Sequence, residues 1–216
     1  MIKKIFLMLF MLTCAVPVWA KTYHYRSFSA KGIINEFSCA IGPLKDSSRR
    51  VQWQRKIKDR VEDEEYVLDP NYATLSWAVK ITGDNTEYKG ERIGNKIVIT
   101  GMFKGRSISK VINIDARPFY FNPKLGLMGF ALSQENSLIF WGVRSDNLDF
   151  LKMKTVKKGI DIIEVNGQKM ECYQIWWAPE GWAKFFSRNY WFRKYDGVYV
   201  KQQAEAGVIR ELTGEE

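Results

Sequence analysis

Hydrophobic and polar residues alternate along most of this chain. From Ala73 to Ile81 the odd positions read Ala73, Leu75, Trp77, Val79, Ile81, and the even ones Thr74, Ser76, Ala78, Lys80. A period of two marks a strand with one face buried and one wet. Val51, Trp53 and Ile57 repeat it between Gln52, Gln54 and Lys56, and Thr22 to Ser29 (TYHYRSFS) reads as another strand. Turn signals at Gly83-Asp84-Asn85, Gly94-Asn95 and Lys104-Gly105 divide the next segment. Gly and Asn tolerate the positive φ of tight hairpins. The spacing predicts strands over 72–82, 86–93, 96–103 and 106–115, paired in sequence order as an antiparallel meander. The polar 86–93 strand is expected at the periphery.

The middle of the chain breaks the alternation. Pro118 and Pro123 bracket Phe119-Tyr120-Phe121. Asn122 is placed to cap a short helix with Pro123 at its first position. Leu125, Met128, Ala131 and Leu132 then share one face, although Gly126 and Gly129 are poor helix formers. Strands return at 150–156, 160–165 and 168–178, the last two joined by the hairpin signal Asn166-Gly167. The 168–178 strand is apolar on both faces around Cys172, Tyr173, Ile175, Trp176 and Trp177, which predicts a central position covered on both sides. Glu180 to Ser187 reads as a loop or one helical turn. Asn189 to Lys194, a turn at Asp196-Gly197, and Val198 to Gln203 complete a final hairpin. The fold expected is mainly β: a single curved antiparallel sheet or incomplete β-barrel, with one short helix.

The C-terminal third carries a resemblance. Ile163-Glu164-Val165-Asn166-Gly167, then Cys172-Tyr173, then Tyr190-Trp191-Phe192-Arg193-Lys194 and Asp196-Gly197 follow a recurring order. Over roughly residues 145–212 this resembles bacterial periplasmic proteins known only as a domain of unknown function. More distantly, it is similar to the open barrels of lipoprotein-carrier and lipoprotein-receptor proteins. That resemblance implies a curved sheet that cups acyl chains, and it brings no catalytic residues with it.

The ends and the charge add a compartment. Lys3 and Lys4, the apolar run Ile5 to Thr13 and the small residues around Val18-Trp19-Ala20 read as a secretory signal. Nine apolar-run residues are too few to span a bilayer, which needs about 20. An uncleaved anchor and lipidation at Cys14 are the alternatives. Cleavage after Ala20 leaves residues 21–216, 196 in number, with a net charge of +7. That length suits one β-rich domain. The resemblance adds the periplasm as the expected location, with no transmembrane segment after the signal and no nucleic-acid partner. Much of the positive charge lies in Lys45, Arg49, Arg50, Arg55, Lys56, Lys58 and Arg60, followed at once by Glu62 to Glu65. This is either a self-compensating surface or an anion site. Cys39 and Cys172 remain after cleavage, as one disulfide or as two separate buried thiols.

Chemistry is mostly excluded rather than indicated. His24 is the single histidine, and neither a zinc-ligand cluster nor a Ser-His-Asp elbow accompanies it. No Gly-rich phosphate loop opens a helix. Asp115, Asp149, Asp161 and Glu164 are the acids available for a carboxylate pair, and each also reads as a solvated strand end. No catalytic residue, metal or cofactor is expected. Trp182, Phe185 and Phe186 stand out because they lie in a loop, where aromatics cover an apolar pocket, enter a membrane surface or pack on the core. The expectation is a non-enzymatic exported envelope protein that binds a lipid-like or apolar anionic ligand in a curved β-sheet. The alternative is a structural or assembly module that binds another envelope protein. A carboxylate-based hydrolase of envelope polymers is the third reading.

Overall fold

The computed structural model describes residues 21–30, 32–44, 46–57, 60–181, 186–204 and 207–216. The expected signal, 1–20 with Cys14, lies outside the described residues, as do Lys45, Lys58, Trp182 and Phe185. Eight strands come first: β1 (Lys21–Ser29), β2 (Gly32–Pro43), β3 (Arg49–Ile57), β4 (Arg60–Leu68), β5 (Thr74–Ile81), β6 (Thr86–Ile93), β7 (Lys96–Phe103) and β8 (Arg106–Asn113). A short β9 (Phe119–Tyr120) leads into helix α1 (Pro123–Leu132). The rest is β10 (Ser137–Val143), β11 (Phe150–Val165), β12 (Gln168–Pro179), β13 (Arg188–Arg193), β14 (Tyr199–Ala204) and β15 (Ile209–Glu215).

All the strands belong to one sheet, in the order β8-β7-β6-β5-β4-β3-β2-β1-β15-β14-β13-β12-β11-β10-β9. Two meanders are joined where β1 pairs antiparallel with β15. Among the described residues the β-rich stretch needs no crossover, and only the β9–β10 pair is parallel. The sheet curls until its two wings overlap by side chains rather than by a strand ladder. Trp77 of β5 packs on Phe119 and Phe121 at 5.2 and 4.9 Å between ring centroids. The Phe121 N–H donates to Thr74 Oγ1 at 3.1 Å, and Trp141 Nε1 donates to Asp115 at 2.9 Å. The result is a strongly curved sheet that is not closed into a barrel.

Helix α1 lies inside the curve. Asn122 caps it, accepting from the Lys124 N–H at 3.1 Å. Leu125, Leu127, Met128, Phe130 and Ala131 are buried. Its glycines serve close approach. A Cβ at Gly126 would fall 2.3 Å from Tyr120 Cγ, and one at Gly129 would fall 2.6 Å from the Asn71 carbonyl oxygen. Leu132, expected on the buried face, is instead 44% exposed because the helix ends there.

Several sequence expectations need correction. Strand β6 is not peripheral: it lies between β5 and β7, with Thr86, Tyr88 and Gly90 buried, and the edge is β8. Gly90 has no side chain because the Trp77 ring occupies the space, 2.1 Å from where its Cβ would be. In β5 the alternation slips. A register shift at Val67/Leu68 buries Thr74 (1% exposed) and turns Leu75 out (38%). The segments 150–156 and 160–165 are one strand, β11, continuous through an irregularity between Lys157 and Gly159. Strand β12 is central, yet Trp176 and Trp177 are only half-buried, so its second face is incompletely covered.

The charged run largely compensates itself. Across the β3–β4 ladder Arg50 meets Glu65 at 3.2 Å, Arg55 Nε donates to Glu62 at 2.6 Å, and Gln54 donates to Asp63 at 2.7 Å. Cys39 and Cys172 are separate, buried free thiols. They sit on β2 and β12, with β1, β15, β14 and β13 between those strands in the sheet.

Candidate functional site

Acids counted as surface charge turn into the curve instead. Period-two alternation places Glu62, Glu64, Tyr66 and Leu68 on one face of β4. That face is the concave one. Cross-strand partners run Tyr23, Cys39, Trp53, Glu64, Val79, Tyr88 from β1 to β6. Glu64 thus interrupts a row of apolar and aromatic side chains. Tyr66 OH donates to its carboxylate. Burial, with Glu62 close by, pushes its acid up to about 7.

Lys124, one residue into the helix, points at the same space. Its ammonium lies 5.3 Å from the centroid of the Trp53 ring. Burial and the nearby Arg210 guanidinium pull its value down to about 7, against the opposing pull of Glu64. Protein surrounds Lys124 and Glu64, yet both retain some solvent contact. Arg210 comes from β15, flanked in the ladder by Ser27 and Gln202. Its Nε donates to Ser27 Oγ at 3.1 Å and its Nη1 to Gln202 Oε1 at 2.8 Å. Gln202 is itself opposite Tyr190. The charged side chains therefore share one chamber, the part of the concave face that the helix N-terminus covers, while the rest of the helix fills the curve with apolar side chains.

A groove of about 640 Å3 opens beside this chamber. Val143, Leu151, Met153, Trp177, Pro179 and Phe186 line it, with Pro123 of the helix, the basic residues Arg144, Lys152 and Arg188, and the acids Asp146 and Glu180; Arg144 pairs with Asp146 at 2.6 Å. Trp177 meets Tyr190 edge-on at 5.6 Å, and Tyr190 meets Tyr199 edge-on at 5.6 Å, so an aromatic wall runs from groove to chamber. The Tyr199 hydroxyl is buried and has no hydrogen-bond partner among the described residues.

The remaining large depression, about 780 Å3, is on the other side of the sheet. Gln52, Gln54, Asp63, Glu65, Lys80 and Lys89 line it from the outward face of their strands, and Trp53, Glu64, Val79 and Tyr88 of the inward row also border it. Most of its charged lining belongs to the polar back of the twisted sheet.

Of the loop aromatics, Phe186 is 60% exposed at the edge of the groove, while Trp182 and Phe185 lie outside the described residues. The four candidate acids are not brought together. Asp115 accepts from Trp141 and pairs with Arg117 and Lys152. Asp161 accepts from Trp191 Nε1 at 2.8 Å, Asp149 accepts from Asn147, and Glu164 lies opposite Lys169. His24 approaches Glu216 at 3.4 Å. Sequence reading missed Glu64, Lys124 and Arg210. For Glu64 the signal was present, because it alternates in phase with Tyr66 and Leu68.

No family model matches the chain, and no curated protein matches it in sequence. Among solved structures it is similar to a beta-barrel-like protein of domain of unknown function DUF1849 from Brucella abortus. The match covers 91% of this chain and 96% of that one, with a TM-score of 0.60 and 8% identity. Looser matches are the hypothetical lipoprotein YmcC from Escherichia coli (93% and 88% covered, TM-score 0.38, 12% identity) and a putative outer membrane lipoprotein-sorting protein domain from Vibrio parahaemolyticus (92% and 85%, TM-score 0.25, 8% identity). The first likeness concerns the fold alone. The other two are too loose to bear on it.

Proposed function

We propose that this chain is a non-enzymatic exported envelope protein that holds an apolar, anionic molecule of lipid-like shape against the concave face of its sheet. The observation that carries this reading is the groove, with apolar walls from Val143, Leu151, Met153, Trp177, Pro179 and Phe186 and basic side chains from Arg144, Lys152 and Arg188. Such a lining removes a hydrocarbon chain from water, a gain of about 0.8 kcal/mol per buried CH2. With Asp146 and Glu180 also on the lining, the rim keeps only a slight positive excess, which favours anionic amphiphiles over neutral ones. The reading takes residues 21–216 as one mature domain in the periplasm.

Native mass spectrometry of the mature chain, purified from the periplasm without detergent, tests it. An added mass of several hundred daltons, extractable into organic solvent, is the expected result. A bare mass, with no gain in thermal stability from any acyl ligand, overturns it. One observation favours a second reading, a module that binds another envelope protein. Strand β8 is an edge of the sheet, with Val111 63% exposed, and an unpaired edge accepts an added strand. Its Arg106 and Lys110 are the kind of residue that guards an edge against such pairing, so the groove reading is preferred.

A further inference from the structure

The proposed function, on which this inference rests, takes the groove as the seat of an apolar chain. We propose that the chamber behind the groove seats the same molecule's head: one singly charged oxyanion, a carboxylate or a phosphodiester, held between the Lys124 ammonium and the Arg210 guanidinium, with the Tyr199 hydroxyl as a further donor.

The charges inside the curve leave room for such a group. Arg55 and Glu62 neutralise each other by direct contact. Lys124 and Arg210 form no ion pair among the described residues, and the Arg210 guanidinium raises the cost of charge on Lys124. Glu64 is the acid that acts most strongly on Lys124, and its carboxylate accepts from the Tyr66 hydroxyl. Lys124, Arg210 and Glu64 together therefore carry one surplus positive charge. A buried charge without a partner is costly, and one monoanion removes the imbalance.

The geometry adds direction. Arg210 spends its Nε and Nη1 on neutral acceptors, Ser27 and Gln202, which hold the fork in place without cancelling its charge. The Tyr199 side chain is 2% exposed, its hydroxyl is without a partner, and the Arg210 charge acts on it. A buried hydroxyl normally finds a partner. The aromatic wall Trp177–Tyr190–Tyr199 is continuous from the apolar groove to this hydroxyl. The shape that fits both ends is one anionic head on one hydrocarbon tail.

The probe is 9,10-dibromostearate, whose bromines quench tryptophan fluorescence, compared with its uncharged methyl ester. Trp53 and Trp177 are placed to report on chamber and groove. The full mature chain is expected to bind the acid at least tenfold more tightly than the ester. Lys124→Gln and Arg210→Gln are each expected to weaken the acid about tenfold and leave the ester within twofold. Glu64→Gln removes the competing anion, so it is expected to tighten acid binding, a gain that misfolding cannot imitate. Competition by a monoacyl phosphatidylglycerol against free stearate separates the two sources of the oxyanion: the stronger competitor names the head. Equal wild-type affinity for acid and ester, or equal weakening of both by the variants, overturns the proposal and leaves the groove reading standing. Failure to bind either probe overturns the groove reading itself.

Discussion

Replacing Glu64 by Gln is expected to stabilise the protein, and to do so only above acidic pH. In the folded chain the Glu64 acid is pushed from 4.5 up to about 7, first by burial and then by Glu62. The unfolded chain releases this proton near the ordinary value. Below pH 4.5 both states hold it, and Glu64 makes no difference. Between 4.5 and about 7 the folded state holds more protons than the unfolded one, so stability falls as pH rises. Above 7 the full penalty is present. The span from 4.5 to about 7 corresponds to about 3 kcal/mol. The solvent that Glu64 still touches screens the charge and reduces this to about 1–2 kcal/mol. Gln keeps an acceptor for the Tyr66 hydroxyl, so the hydrogen bond survives the change. Urea unfolding of wild type and Glu64→Gln, each from pH 4.5 to 8, reads the difference directly. The variant is expected to match wild type at pH 4.5 and to exceed it by about 1–2 kcal/mol at pH 8, or about 2–8 °C in Tm. A difference that is flat with pH, or that favours wild type at pH 8, refutes the placement of Glu64 inside the curve.

Four further outcomes are expected. Affinity for dibromostearate is expected to fall several-fold between pH 6 and 8.5, because Lys124, facing Arg210, Arg55, Glu62 and Glu64, loses its charge through about 7 as Glu64 gains one; isothermal titration at the two pH values checks this. Gly126→Ala places a Cβ 2.3 Å from the Tyr120 ring, so a loss of about 1–3 kcal/mol by overpacking is expected in thermal unfolding, despite the better helix propensity of Ala. Arg193 is 5% exposed and pairs with Asp196 and Glu215, so Arg193→Met strands Asp196, leaves Glu215 with Lys21 alone and is expected to destabilise by about 2–3 kcal/mol in denaturant titration. Burial raises both thiols, Cys172 to about 12, so iodoacetamide at pH 8 without reductant is expected to label neither in the native protein and both after unfolding; a single disulfide would leave both unlabelled after unfolding too.

Local pattern decided much of this molecule before any tertiary contact was known. The strand bounds over 72–115 follow their Gly–Asn turns closely, because hairpin register is set by neighbours in sequence. The same holds for the Asn122–Pro123 helix start and for the hairpins at Asn166-Gly167 and Asp196-Gly197. Fold class was therefore legible: many short antiparallel strands with one helix make a curved sheet. Position within the sheet was not legible. A polar β6 reads as an edge, yet it is interior because β7 and β8 pair beyond it. Gly126 and Gly129 argue against a helix until Tyr120 and Asn71 are seen to press against it.

The chamber shows the division most clearly. The sequence by itself determines that Glu64 alternates in phase with Tyr66 and Leu68, and that Lys124 opens a helix. Only the tertiary structure brings β4, α1 and β15 together, so that Glu64, Lys124 and Arg210 face one another. The sheet curls and the helix inserts through contacts between residues dozens to more than a hundred positions apart, and no periodicity within one segment encodes such a meeting. The two cysteines make the same point in reverse: sequence allows them to bond, and the four strands between β2 and β12 in the sheet leave them as separate buried thiols.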